Sequence, residues 1–159
     1  MSKKVYFASP LFSEMERLYN EKLVLSIRET YPGIEVYVPQ EQGEINVKNA
    51  YADSMVNAKY DTDALLASQL MVAVLDGSTI DVGGTTEIGV AYQAGIPIIG
   101  LYTDPRQQGA DNKLKLAALQ EVAESQFSYI DLYTVGIIKM NGAIYSNSED
   151  FITVINDYL

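Results

Sequence analysis

The sequence contains no cysteine, no histidine and no tryptophan among its 159 residues. The absence of cysteine excludes disulfide bridges and thiolate chemistry. The absence of histidine removes the commonest general base and the commonest metal ligand. Any proton transfer must therefore use Asp, Glu, Tyr or Lys. Carboxylate chemistry is favoured over metal or thiol chemistry.

Basic residues are also scarce, with 11 Lys and Arg against 21 Asp and Glu, a net charge of -10. Binding to nucleic acid needs clustered Lys and Arg, so no nucleic-acid polymer is expected as a partner. No apolar run approaches a membrane span, and Val5 to Ala8 is too short for a signal peptide. The sequence therefore predicts one cytoplasmic domain over residues 1–159, without a membrane partner.

Strand and helix patterns alternate along the chain, which predicts an α/β fold with a doubly wound, mainly parallel sheet. A capping box at Ser13 to Glu16 opens the first helix. Predicted strands cover 5–8, 34–38, 70–75, 96–102 and 129–133; further predicted helices cover 50–67, 85–95 and 113–123, with a last one after a cap at 146–149.

The end of the chain has a second turn signal. Residues 137–140 and 143–145 are mostly apolar and flank Asn141-Gly142, a pair typical of a type I′ hairpin turn. A hairpin is therefore expected before the last helix.

The most informative segment runs from Leu70 to Gly89. The buried strand at 70–75 leads into a loop with Asp76, Asp81 and Gly83-Gly84, and a helix predicted from Gly84 or Thr85 has Glu87 in its first turn. Ligands in such sheets bind beyond the carboxyl ends of the strands. Asp61, near the end of the preceding helix, can project toward the same strand end.

Each of these residues also has a plain structural interpretation. Glu87 could simply complement the helix dipole, and Asp76 suits an Asp-Gly turn. For Asp81 an Asx turn and a ligand contact are equally supported. Tyr6 is as well explained as a core residue of its strand. Gly83-Gly84 permits close approach of a ligand, but without a dinucleotide or P-loop motif a phosphate site is disfavoured.

Taken together, these residues resemble the nucleoside 2-deoxyribosyltransferase family, over Val5 to about Leu116. The combination of the Tyr-x-Ala-x-Pro start with the Asp-x-Gly-x-x-x-Glu spacing is fairly specific. The matching segments are Tyr6 to Phe12, Asp61, Leu75 to Gly77, Asp81 to Ala91, Gly95 to Ile99, Asp104, Arg106 and Asn112.

The resemblance implies a flavodoxin-like fold and exchange of 2-deoxyribose between free purine or pyrimidine bases, as in nucleotide salvage. It implies that Glu87 attacks C1′ to form a covalent deoxyribosyl intermediate, and that the reaction is ping-pong and retaining, with no metal or cofactor. The roles that it implies for other residues are as follows: Tyr6 orients Glu87, Asp61 contacts the base and assists its protonation, Asp81 binds the sugar hydroxyls, Gly83 lines the site and Phe12 walls the base.

The resemblance also implies a homo-oligomer, built from dimers and up to a hexamer, because Asn112 matches a position that completes a neighbouring subunit's site. Some positions depart from the family pattern, including Gly84 in place of Thr. Asp63 could take the role of Asp61 if the helix register differs. No motif assigns Tyr145 or Tyr158.

Two other functions remain open at this stage. One is an N-glycosidase that uses water on deoxynucleosides or on their 5′-monophosphates. The turn Ser9 to Ser13 lacks the Gly and Arg that would hold a phosphate, which favours free nucleosides. The other is a small regulatory module that binds a nucleoside without catalysis.

Overall fold

The computed structural model describes residues 3–43, 54–105, 112–118, 122 and 130–159. In this part of the chain, five strands and six α-helices alternate. The strands are β1 (Lys3–Ala8), β2 (Ile34–Tyr37), β3 (Leu70–Val74), β4 (Ile98–Leu101) and β5 (Gly142–Tyr145). The helices are α1 (Glu14–Thr30), α2 (Ser54–Leu66), α3 (Val82–Gln93), α4 (Lys113–Ala118), α5 (Leu132–Met140) and α6 (Ser148–Thr153), with 3₁₀ turns at Pro39–Glu41 and Ile155–Tyr158.

The five strands form one parallel sheet in the order β2-β1-β3-β4-β5. Helices α1 and α6 pack against one face, and α2, α3 and α5 against the other. The predicted doubly wound α/β fold is confirmed. The chain reverses its direction of winding between β1 and β3, and their carboxyl ends therefore border the crevice where ligands bind in such sheets.

Local capping explains where two helices begin. The capping box of α1 is present as predicted, with Ser13 Oγ accepting from Glu16 N at 3.2 Å and Glu16 Oε2 accepting from Ser13 N at 2.7 Å. The predicted start of α3 at Gly84 or Thr85 is wrong. Asp81 caps this helix, which begins at Val82. Glu87 therefore lies in the second turn, where the backbone N–H groups are already bonded within the helix.

The C-terminal predictions need the largest corrections. The strand predicted at 129–133 and the hairpin around Asn141-Gly142 are both wrong, because residues 132–140 form α5; residue 129 lies outside the described residues. Asp131 caps α5, its Oδ2 accepting from Thr134 N at 3.0 Å. The apolar run Leu132–Met140 is compatible with a strand or a helix, and periodicity alone does not separate them.

Asn141 and Gly142 join a helix to a parallel strand instead of forming a hairpin turn. Asn141 Nδ2 donates to the carbonyl of Ile96 at 2.8 Å. A side chain at Gly142 would collide with the backbone carbonyl of Ile98, so glycine permits β5 to start close to β4.

Other boundaries shift by a few residues. The cap of α6 is Asn147, whose Oδ1 accepts from Asp150 N at 2.8 Å, and the predicted cap at Ser146 is wrong by one residue. The predicted starts and ends of the second helix and of the helix at 113–123 fall partly outside the described residues. Within the described residues, none of the helices is both long and apolar enough to cross a bilayer.

Candidate active site

Two tyrosine–carboxylate pairs lie side by side at the β1–β2 end of the sheet. Tyr6 of β1 and Tyr37 of β2 are opposite each other in the strand register, and their rings stack with centroids 5.4 Å apart at 18°. The Tyr6 hydroxyl donates to Glu87 Oε1 at 2.7 Å, and the Tyr37 hydroxyl donates to Asp61 Oδ1 at 3.2 Å. Two neighbouring strands thus hold carboxylates from two helices, α3 and α2.

Burial dominates the electrostatics of this group. Desolvation raises the pKa of Glu87 to about 7, while the bond from Tyr6 opposes the rise and the charges of Asp61 and Asp81 add to it. Desolvation also raises the pKa of half-buried Asp61, and the bond from Tyr37 opposes that rise. Burial and the Glu87 charge raise the pKa of Tyr6, so its hydroxyl stays protonated. Both carboxyl groups therefore keep a proton to a higher pH than free carboxyl groups do, and Glu87 titrates near neutral pH.

Asp81 and Gly83 form a tight cap beside this group. Asp81 Oδ2 accepts from Gly84 N at 2.7 Å, and a Cβ on Gly83 would lie 3.0 Å from the same oxygen. The glycine therefore makes room for the cap. Asp81 therefore acts as an N-cap, bonding the backbone three residues on, instead of forming the Asx turn that the sequence suggested. The Asp81 charge also reaches Glu87.

Asp76 connects two loops at the carboxyl ends of β3 and β4. Its Oδ1 accepts from Thr103 N and its Oδ2 from Thr103 Oγ1, both at 2.7 Å. Phe12 is 76% exposed at the end of the β1 loop. Together with Pro10, Glu16 and residues 76–82, it lines a cleft of about 260 Å³.

The remaining predicted site residues lie in different settings. Asp63 pairs with Lys59 on the exposed side of α2, so the helix register gives the inner position to Asp61. Asn112 is exposed at the start of α4, and its Oδ1 accepts from Leu114 N at 2.9 Å. Tyr145 lies in β5 beside Tyr158, in the packing around α6 rather than with Glu87.

Two residues near the site were not predicted from the sequence. Tyr37 could have been found by pairing the first two strands, because it occupies the same register and sheet face as Tyr6. Arg17, one turn into α1, lines a hollow of about 240 Å³ with Leu11, Phe12 and Gln40. No sequence motif marks Arg17, because its position depends on how α1 packs beside the β1 loop.

Among the described residues, no three or more acidic side chains are grouped so that they could hold a metal ion. The fold is that of a doubly wound α/β protein, and two tyrosine–carboxylate pairs lie on the face of its sheet covered by α2 and α3.

The chain belongs to the nucleoside 2-deoxyribosyltransferase family, whose model matches residues 5–126. The resemblance noted in the sequence is confirmed. The family consists of enzymes that act on nucleosides. No curated protein matches the sequence.

Solved structures share the fold over nearly all of the chain. A conserved protein from Enterococcus faecalis V583 is 55% identical, with a TM-score of 0.93 and full coverage of both chains. A 2-deoxyribosyltransferase from Bacillus psychrosaccharolyticus is 19% identical (TM-score 0.61, covering 92% of this chain and 88% of that one). A CMP N-glycosidase from Clostridium botulinum is 24% identical (TM-score 0.53, covering 99% and 100%). At the two lower identities the similarity shows the fold alone.

Proposed function

We propose that this protein transfers 2-deoxyribose from a 2′-deoxynucleoside to another free nucleobase through a covalent intermediate on Glu87. The observation that carries the proposal is the partly buried Glu87 carboxylate, bonded to Tyr6 at 2.7 Å and placed near a second carboxylate, that of Asp61. Family membership supports the class of substrate.

In the first half-reaction, ionised Glu87 attacks C1′ of the deoxynucleoside. The C1′–N bond breaks, its electron pair goes to the base nitrogen, and protonated Asp61 supplies a proton to that nitrogen. Tyr6 keeps Glu87 oriented throughout. In the second half-reaction a different base attacks C1′, its proton returns to Asp61, and Glu87 leaves. Two displacements at one carbon retain its configuration.

The proposed reaction requires Glu87 to be ionised for attack and Asp61 to be protonated for departure of the base. The Tyr6 bond favours ionised Glu87, and desolvation favours protonated Asp61. Desolvation of Glu87 and the charge of Asp61 favour the reverse arrangement, so the reaction starts from the form in which the proton lies on Asp61. Pairs of acids whose environments separate their protonation states are typical of glycosidic bond cleavage.

The remaining predicted residues complete the proposed site. Asp81 and Gly83 are proposed to lie beside the sugar, and Phe12 to form an apolar wall against the base. The chain is proposed to work as a homo-oligomer in which Asn112 reaches the site of a neighbouring subunit. The oligomeric state is checked by light scattering, and the role of Asn112 by mixing an Asn112→Ala protein with a Glu87→Gln protein. If each site combines Glu87 of one subunit with Asn112 of its neighbour, some mixed oligomers contain sites with both residues intact, and activity should partly return.

The central experiment incubates the protein with 2′-deoxyinosine and adenine and separates the products by chromatography. Deoxyadenosine is the expected product. Mass spectrometry after brief exposure to 2′-deoxyinosine alone should detect a deoxyribosyl adduct that is missing in Glu87→Gln. A wild-type protein that binds deoxynucleosides but gives neither product nor adduct would instead match a regulatory module.

A second candidate, an N-glycosidase that uses water on deoxynucleoside 5′-monophosphates, is supported by Arg17. Its guanidinium belongs to none of the three salt bridges among the described residues, and it lines the hollow beside Phe12. A guanidinium there is suited to a phosphate. The two candidates are separated by supplying deoxycytidine and its 5′-monophosphate. A preference for the monophosphate that disappears in Arg17→Ala, with free sugar phosphate as product, would favour the N-glycosidase.

A further inference from the structure

We infer that Tyr37 is a positioning residue for the proton transfer to the leaving base: it holds Oδ1 of Asp61 so that the transferable proton resides on Oδ2. This inference rests on the proposed function, in which Asp61 protonates the base. No motif in the sequence marks Tyr37, and the geometry alone brings it into the site.

The position of Tyr37 is set by the sheet. β1 and β2 are parallel and pair Tyr6 with Tyr37, so both side chains emerge on the face covered by α2 and α3. The Tyr37 ring contacts the Tyr6 ring, and the ammonium of Lys4 lies 5.5 Å from its centroid. Lys4 is itself paired with Glu35 at 3.2 Å. These contacts hold the ring independently of its hydroxyl.

The hydroxyl of Tyr37 determines which carboxyl oxygen of Asp61 carries the acidic proton. It donates to Oδ1 at 3.2 Å, and in a protonated carboxylic acid the carbonyl oxygen is the better acceptor of such a bond. The acidic proton then resides on Oδ2, the oxygen that can give it to a base nitrogen. When the C1′–N bond breaks, the Oδ2–H bond breaks with it and the proton moves to that nitrogen, leaving Asp61 ionised and still bonded to Tyr37.

Asp61 interacts electrostatically with one titratable group from each neighbouring element: Tyr6 of β1, Tyr37 of β2 and Glu87 of α3. Desolvation favours protonated Asp61, whereas the bond from Tyr37 favours the ionised form. Removing the hydroxyl should therefore make Asp61 a weaker and less oriented acid.

The test compares two deoxyribosyl donors in the Tyr37→Phe variant. With 2′-deoxyinosine the base needs a proton to leave. With p-nitrophenyl 2-deoxyriboside the phenolate leaves without one, so Asp61 is not required. Tyr37→Phe should lower kcat for the nucleoside by roughly tenfold, part of the roughly 10²–10⁴-fold that a positioned acid supplies, and leave the nitrophenyl donor nearly unchanged. Asp61→Asn should show the same selectivity more strongly.

Matched controls and a direct titration distinguish positioning from folding. Tyr31→Phe removes a hydroxyl that donates to the carbonyls of Ile152 and Thr153 on the other face of the sheet, and it should affect both donors alike. Carbon-13 labelling of the aspartate carboxyl groups should show a higher Asp61 pKa in Tyr37→Phe than in the parent.

The outcomes separate the two proposals. If the parent processes both donors and Tyr37→Phe slows them equally, or if the Asp61 pKa does not rise, the role of Tyr37 is overturned while the proposed function stands. If the parent forms no deoxyribosyl adduct with either donor, the proposed function fails and the inference fails with it.

Discussion

Tyr6 and Phe7 are consecutive residues of β1, and both are fully buried. Phe7 faces α1 and α6, in a cluster of aliphatic and aromatic side chains. Tyr6 faces α2 and α3, where its hydroxyl meets Glu87 and its ring meets Tyr37. The strand alternation that separates the two residues therefore also separates an apolar packing layer from a layer that carries ionisable groups.

This difference has an energetic meaning. Burying apolar side chains on the α1 side stabilises the fold at any pH. Burying Glu87 on the other side opposes ionisation, so the same packing that forms the site costs stability when the group is charged. The two faces should therefore respond differently to substitution and to pH, and the following variants test that difference.

The largest expected effect is the pH dependence contributed by Glu87. Its folded pKa of about 7 exceeds the ordinary value of 4.5, so its stabilising contribution is complete below pH 4.5 and is lost as pH rises through 7. The loss amounts to at most about 3 kcal/mol. Glu87→Gln should have nearly parental stability in acid and exceed it by up to that amount at about pH 8.

Urea unfolding at several pH values measures this effect. The surface variant Glu149→Gln serves as the control for a general change in net charge. A Glu87→Gln stability curve that runs parallel to the parent curve from acid to alkaline pH would contradict the proposed burial of the carboxylate.

The opposite face is tested by Phe7→Tyr, which adds a hydroxyl where the neighbouring side chains are apolar. The unsatisfied group should lower the free energy of unfolding by about 2 kcal/mol. Activity per folded molecule should stay within about twofold, because the substitution does not touch the layer of ionisable groups. Thermal unfolding and assays well below the Tm measure the two quantities. A large fall in kcat without a change in Tm would show that the two faces are coupled.

The sequence predicted the fold well where the signals were strong and local. The first four strands and the capping box of α1 were inferred correctly, since each depends on a short pattern, and the alternation of strands with helices predicted the parallel arrangement. The segment 132–140 was assigned wrongly because a short, mostly apolar segment fits both a strand and a helix. The role of Gly142 depends on contact with the carbonyl of Ile98, which no local pattern encodes.

The candidate site was predictable in its residue types more than in its contacts. Asp61, Asp81 and Glu87 were found from spacing and resemblance. The start of α3 was placed too late because Asp81 was not identified as its cap. Tyr37 and Arg17 were missed because their positions depend on strand register and on helix packing, which arise only when distant segments assemble.

The next largest effect is expected for Tyr6→Phe, which removes one hydrogen bond to Glu87 and leaves the ring in place. The bond lowers the pKa of Glu87, so its loss should raise that pKa and reduce the ionised fraction. We expect kcat to fall by roughly 10–100-fold, the equivalent of one bond to a charged group. The fall should be larger below pH 7 than above it, and the acidic limb of the pH–rate profile should move upward. An unshifted limb would contradict the role of Tyr6.

The smallest effect separates two functions of Asp81. Asn at this position can still accept from Gly84 N and cap α3, whereas Ala cannot. Asp81→Asn should therefore keep parental stability but raise KM for the deoxynucleoside, because it loses the charge proposed to bind the sugar hydroxyls. Asp81→Ala should raise KM as well and lose about 1 kcal/mol of stability. If both variants lose stability equally and neither changes KM, Asp81 has no part in substrate binding. The groups that act on the substrate would then include Glu87 but not Asp81.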